Sequence, residues 1–150
     1  MTRPFMLTLI AIALLFAGGC DAGLKTYPVR GVVRFTDGKL LRQGSIEFEL
    51  INSQEAYLAR GEIQPDGSFV LGTEELDDGA VAGKFRAVVI SNHMIGNSYE
   101  RPGLIPRSKL HPKYAEFRTS GLEFDVEPKD NNFIIEVEYA PEPEEEGDPS

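Results

Sequence analysis

Leu122-Glu123-Phe124-Asp125-Val126-Glu127-Pro128-Lys129-Asp130-Asn131-Asn132-Phe133-Ile134-Ile135-Glu136-Val137-Glu138-Tyr139 decides the fold class of this chain. Leu122, Phe124 and Val126 alternate with Glu123, Asp125 and Glu127; Phe133, Ile135, Val137 and Tyr139 alternate with Ile134, Glu136 and Glu138. Successive side chains of a strand point to opposite faces, so a period of two describes two strands that each bury one face. Pro128-Lys129-Asp130-Asn131 separates them as a turn, because proline presets φ and Asp and Asn accept tight backbone.

The same period recurs upstream. Phe85, Ala87 and Val89 share a face opposite Arg86 and Val88, and residues 57–63 form another strand. Pro65-Asp66-Gly67 is a turn into Ser68-Phe69-Val70-Leu71. After Gly44, Ile46, Phe48 and Leu50 alternate with Ser45, Glu47 and Glu49. Val29, Gly31, Val33 and Phe35 alternate with Arg30, Val32, Arg34 and Thr36, and Asp37-Gly38 then turns the chain. Residues 29–36 and 44–50 are therefore expected to pair as a hairpin. No helical period survives for ten residues after Cys20. Seven strands without a long amphipathic helix give an all-β class: a single seven-stranded antiparallel β-sandwich over residues 27–140.

The regular spacing breaks at residues 92–121, thirty residues that contain Pro102, Pro106 and Pro112. So long a loop is uncommon in a small domain and is usually functional or mobile. Within it, His111-Pro112-Lys113-Tyr114-Ala115-Glu116 suits one helical turn with proline at its start. Residues 141–150 hold prolines and acids with no apolar side chain, the composition of a disordered acidic tail.

The opposite terminus carries an address. Arg3 supplies a positive charge, and residues 5–17 are an uncharged apolar stretch. As a helix, these 13 residues reach only about 20 Å, against a bilayer core of about 30 Å, so they suit a signal peptide rather than a span. The stretch closes on Phe16-Ala17-Gly18-Gly19-Cys20, and Cys20 is the only cysteine. This run resembles the bacterial lipobox. The resemblance implies cleavage after residue 19, a diacylglyceryl group and acyl chains such as palmitate on Cys20, and residues 20–26 as a lipid-anchored linker. It places the mature protein on the periplasmic or extracellular side of a bacterial membrane. Asp21 resembles a signal for inner-membrane retention and reads equally as an exposed linker residue.

Val29-x-Gly31-x-Val33, Gly38, Leu41, Gly44 and Ile46-x-Phe48 are similar to the opening of transthyretin-like, carboxypeptidase-regulatory-like domains of the prealbumin or Cna-B type. Asp66-Gly67-Ser68-Phe69-x-Leu71 and Gly83-Lys84-Phe85-x-Ala87-x-Val89 match their later elements, with Phe85 where tyrosine is usual. Ile105-Pro106, Pro112-Lys113-Tyr114, Thr119-Ser120-Gly121-Leu122 and Asn132-Phe133 look like small bacterial lipoproteins built on this domain. The resemblance implies an accessory or surface module and carries over no catalytic residue.

Charge narrows the partners. The chain holds 15 basic and 24 acidic side chains; with residues 1–19 removed, Arg3 goes and the charge is −10. Such a surface disfavours nucleic acid and electrostatic attachment to anionic lipid. A membrane partner is therefore expected only through lipid on Cys20, and any other partner is an unidentified envelope protein or polysaccharide. No cofactor is expected.

Glu74, Glu75, Asp77 and Asp78 share one loop and have the oxygen chemistry of calcium ligands, but they lack EF-hand alternation and read first as a solvated charge run. His93 and His111 lack the partners of a zinc site. Ser91, Ser98, Ser108 and Ser120 lack a nucleophile elbow, which points away from a hydrolase. Tyr99, Arg101, Arg107, Lys109, Lys113, Tyr114 and Arg118 make the long loop locally basic and partly aromatic, a candidate partner-binding loop. The plainer reading is that Leu110 and Tyr114 pin this loop to the sandwich while its cations stay solvated. Together these features favour a non-enzymatic lipid-anchored envelope module with a structural or protein-interaction role. A carbohydrate- or peptidoglycan-binding module is the alternative, set back by the absence of tryptophan.

Overall fold

The computed structural model describes residues 23–91, 94–95 and 107–142. The described residues are all-β. They comprise β1 (Thr26–Tyr27), β2 (Val29–Phe35), β3 (Gly44–Leu50), β4 (Leu58–Ile63), β5 (Ser68–Val70), β6 (Ala80–Val81), β7 (Gly83–Ile90), β8 (Met94–Ile95), β9 (Arg107–Ser108), β10 (Leu122–Val126) and β11 (Asn131–Val137), with a 3-10 turn at Pro112–Ala115. Eleven strands stand where seven were expected. The additional β1, β6, β8 and β9 are two residues long, too short to carry a period of two.

Two principal sheets hold the longer strands. One runs β10-β7-β3-β4 and is antiparallel throughout; the other runs β11-β2-β5. The expected hairpin between residues 29–36 and 44–50 does not form, because β2 and β3 lie in different sheets. The chain after β2 folds back on that strand instead: Phe35 N–H donates to Lys39 O at 2.7 Å, and Leu41 N–H donates to Val33 O at 3.0 Å. Elsewhere β2 is flanked by β5 and β11, so no edge remains for β3.

The expectation of wholly antiparallel pairing also gives way at β11, which runs parallel to β2 in register Asn131↔Val29 to Val137↔Phe35. The cause is the turn at residues 127–130. It carries the chain out of the four-stranded sheet and into the other, delivering β11 at the end where β2 begins. Buried Asn131 fastens this crossing: its side chain accepts from Glu127 N–H at 2.9 Å and donates to the carbonyls of Glu127 and Lys129 at 3.0 and 2.6 Å.

The inward residues of the alternating runs meet in one core. Val29, Val33, Ile46, Phe48, Phe69, Phe85, Ala87, Val89, Ile135 and Val137 are each buried to within 1% of complete. Phe48 of the four-stranded sheet lies 6.1 Å from Phe133 of the other, and Phe124 lies 4.9 Å from Phe133, centroid to centroid. The two sheets thus face each other across a shared apolar layer, the layout of a β-sandwich. The outer face carries cross-strand ion pairs, including Arg34 with Glu136 at 2.8 Å and Arg86 with Glu49 at 2.5 Å. Val88 is the exception, pointing outward yet only 2% exposed. The 3-10 turn packs against β7, and Phe117 lies 5.4 Å from the Arg86 guanidinium, so residues 112–117 shield that face.

The described parts of residues 92–121 are therefore more regular than a thirty-residue loop would be. β8 pairs with β9, and Leu110 and Tyr114 are each 4% exposed within the core cluster. Proline at the start of the 3-10 turn stands where the sequence placed it. Regular pairing also begins at Thr26, the last residue assigned to the linker.

Candidate functional site

The strands give the molecule two ends. At one, β1 enters beside β6 and the turn at 127–130; at the other, β2 and β11 finish and residues 109–111 pair with 138–140. Lys109 and Lys113 of the candidate loop lie near this second end, in two separate groups of side chains.

Lys113 and Tyr114 belong to the first group and act as fasteners. The buried Tyr114 hydroxyl accepts from Glu138 N–H at 3.2 Å, and Lys113 Nζ meets Glu138 Oε1 at 2.8 Å while lying 5.0 Å from the Tyr114 ring centroid. Each partner of the ion pair stabilises the other's charge, raising the Lys113 pKa and lowering that of Glu138. The 3-10 turn is thereby tied to the end of β11, as the pinning of the loop by Leu110 and Tyr114 anticipated.

Lys109 belongs to the second group. Its ammonium lies 5.3 Å from the Tyr139 ring centroid, and it joins Lys39 and Arg42 around a cleft of about 400 Å³ lined also by Phe35, Leu41 and Tyr139. Tyr139 stacks on Phe35 at 4.0 Å with the rings 2° from parallel, giving the cleft an aromatic wall. Asp37 stands beside it, bound to Lys39 Nζ at 2.8 Å and to the Tyr139 hydroxyl at 2.9 Å. Sequence reasoning missed Lys39 and Arg42 because they sit on the short β2–β3 connection, nearly seventy residues from Lys109. The one available signal was two cations close behind Asp37-Gly38.

The remaining candidates are placed as follows. Cys20, His93, Ser98, Tyr99 and Arg101, the segment 1–19 and residues 143–150 of the tail lie outside the described residues. Of Arg107 and Ser108 only the backbone, in β9, is described, and Arg118 is exposed. In the acidic loop Asp78 is committed to the backbone at the start of the loop: its carboxylate accepts from the N–H groups of Thr73, Glu74 and Glu75 at 2.5, 3.2 and 3.2 Å. Among the described residues no three His, Cys, Asp or Glu side chains are grouped to hold a metal ion, Glu74, Glu75, Asp77 and Asp78 included.

Ser91 and His111 line a second, mainly apolar cleft with Ile90, Leu110 and Pro112. The Ser91 hydroxyl donates to Gln43 O at 3.0 Å, while His111 Nδ1 accepts from Lys113 N–H at 3.1 Å and caps the 3-10 turn. That cap leaves the imidazole proton on Nε2 in the neutral ring, the wrong tautomer for Nε2 to act as base. Ser120 is buried, and its hydroxyl oxygen accepts from Leu122 N–H at 3.3 Å. These bonds wire the two serines and the histidine into the fold.

Comparison with protein-family models, curated proteins and solved structures finds no match to this chain. Its functional reading therefore rests on its own residues.

Proposed function

We infer that this chain is a non-enzymatic module of the bacterial cell envelope, exported and held at a membrane by lipid on Cys20, with a structural or protein-interaction role. The observation that carries this reading is the run Phe16-Ala17-Gly18-Gly19-Cys20, which ends a short uncharged apolar stretch on the only cysteine of the chain. One thiol has no partner for an intrachain disulfide, so acylation is a use for it that the domain does not compete for. Several acyl chains on one cysteine hold a protein firmly, whereas a single chain holds it marginally.

The transthyretin-like resemblance belongs to the same reading. What supports it is the division of the longer strands into sheets of four and three around one core. Two of the four described tyrosines speak against a sugar-binding platform. Tyr114 is buried and Tyr139 is stacked flat on Phe35, so these two do not form an open aromatic platform.

Metabolic labelling with a fatty-acid analogue tests the anchor. The whole chain should take up label and sediment with membranes, and Cys20→Ser should lose both. Retention of label by that variant would overturn the lipid assignment. Crosslinking in intact cells tests the role: a captured protein supports it, and recovery with polysaccharide alone rejects it.

A further inference from the structure

The cleft between Lys39, Arg42 and Lys109 concentrates positive charge in a chain of net charge −9. Its lining residues include no carboxylate, and the one that stands beside it, Asp37, is the partner of Lys39; by contrast Glu47, Glu62 and Asp77 accompany Arg60 along the groove beside β4. The Lys39 side chain is 74% exposed and its ammonium has donors left beyond the one that meets Asp37, so it can take a second carboxylate. Arg42 has no ion-pair partner among the described residues. The Lys109 ammonium has the Tyr139 ring beside it rather than a carboxylate.

The chain leaves the fold at this same end. Tyr139 lines the cleft, and Ala140 N–H donates to Lys109 O at 2.9 Å. Directly beyond stand Glu142, Glu144, Glu145, Glu146 and Asp148, five carboxylates within seven residues. Six residues after Glu142 extend to about 20 Å, at about 3.3 Å each, enough to cross the cleft. Pro141, Pro143 and Pro149 restrict the backbone and lower the entropy lost on docking.

We propose that the acidic segment 142–148 docks back into this cleft, its carboxylates meeting Lys39, Arg42 and Lys109. Each contact is an exposed pair of small individual strength, and the short covalent link supplies an effective concentration of about millimolar that lets several act together. The cleft is then a receptor for carboxylate-rich peptide, and its first occupant is the chain itself. An acidic segment from another protein has to displace that occupant.

Carbodiimide coupling of the purified full chain, followed by peptide mass spectrometry, tests the contact because it joins amines to carboxylates that already touch. Lys84 with Glu123 at 3.1 Å and Lys113 with Glu138 at 2.8 Å serve as internal controls. Segment 142–148 should couple to Lys39 and Lys109 several times more often than to Lys25, Lys84, Lys113 or Lys129. That excess should fall several-fold in about 0.5 M salt, where screening is stronger, and in Arg42→Glu, which keeps both reporting lysines. An even spread over all lysines, control coupling without tail coupling, or an unchanged yield in Arg42→Glu would overturn the proposal. A mixture of isotopically heavy and light chains should give uncrossed products; mainly hybrid products would assign the contact to a second copy and reject intrachain docking.

Discussion

Asp37 accepts three hydrogen bonds at the mouth of the basic cleft: from Lys39 Nζ, from Lys39 N–H at 3.0 Å and from the Tyr139 hydroxyl at 2.9 Å. The Lys39 ammonium, its backbone N–H and the tyrosine all favour the ionised carboxyl and hold its pKa at about 2, below the usual 3.8. A carboxyl whose pKa is lower folded than unfolded stabilises the fold above the unfolded value and loses that contribution as pH falls through the folded one. Asp37→Asn should therefore be slightly less stable than the parent at neutral pH, with the gap closing between about pH 4 and pH 2. Denaturant unfolding across that range measures it, and a gap independent of pH would contradict the assignment. The sequence showed Asp37-Gly38 as a turn, and the turn is present. It could not show that the turn's carboxylate meets a tyrosine 102 positions away.

Within β2 the alternation Val29, Gly31, Val33, Phe35 puts a glycine at an inward position, where a larger apolar side chain is the ordinary choice. The structure supplies the reason. A Cβ on Gly31 would lie 2.2 Å from Phe133 O on β11 and 2.7 Å from the Phe69 ring on β5. Gly31→Ala should force the ladder or the ring aside, at a cost of about 1–3 kcal/mol. Its urea midpoint should fall with an unchanged slope, and an unchanged midpoint would mean that the strands yield freely there. The period of two was legible in β2, β3, β7, β10 and β11, because it follows from which face each strand buries; β4 and β5 were marked as strands without one. Pairing was not legible, because it depends on which edges remain open. Residues 38–41 fold back along β2 and leave no place for β3, while the crossing at 127–130 sends β11 into the other sheet. The candidate site divided in the same way. Tyr114 could be recognised as an anchor from its own loop, whereas the cleft needed Lys39 and Lys109 to be brought together by the fold.

Across the whole molecule, charge is distributed between the two ends. Glu74, Glu75, Asp77 and Asp78 share the end where β1 joins the domain, while Glu127 and Asp130 on the nearby turn are paired with Lys129 and Arg30. Lys39, Arg42 and Lys109 gather at the other, separated by the length of β2, about 20 Å at about 3.3 Å per residue. If Cys20 carries the proposed lipid, the chain after it joins the domain at β1, where the carboxylates of residues 74–78 would oppose close approach to an anionic membrane. Leu76 is 95% exposed at the acidic end, yet the carboxylates flanking it oppose insertion into a headgroup layer. The protein surface alone should therefore have no membrane affinity. Purified Cys20→Ser lacking residues 1–19 should stay in the supernatant with vesicles containing anionic lipid at physiological salt, whereas the acylated chain should sediment with them. Sedimentation of the unacylated variant would transfer the anchoring role from the cysteine to the protein surface. Screening settles the source of the exclusion: the exposed carboxylates act within about 8 Å at 0.15 M ionic strength, so raising the salt should weaken repulsion without creating attraction.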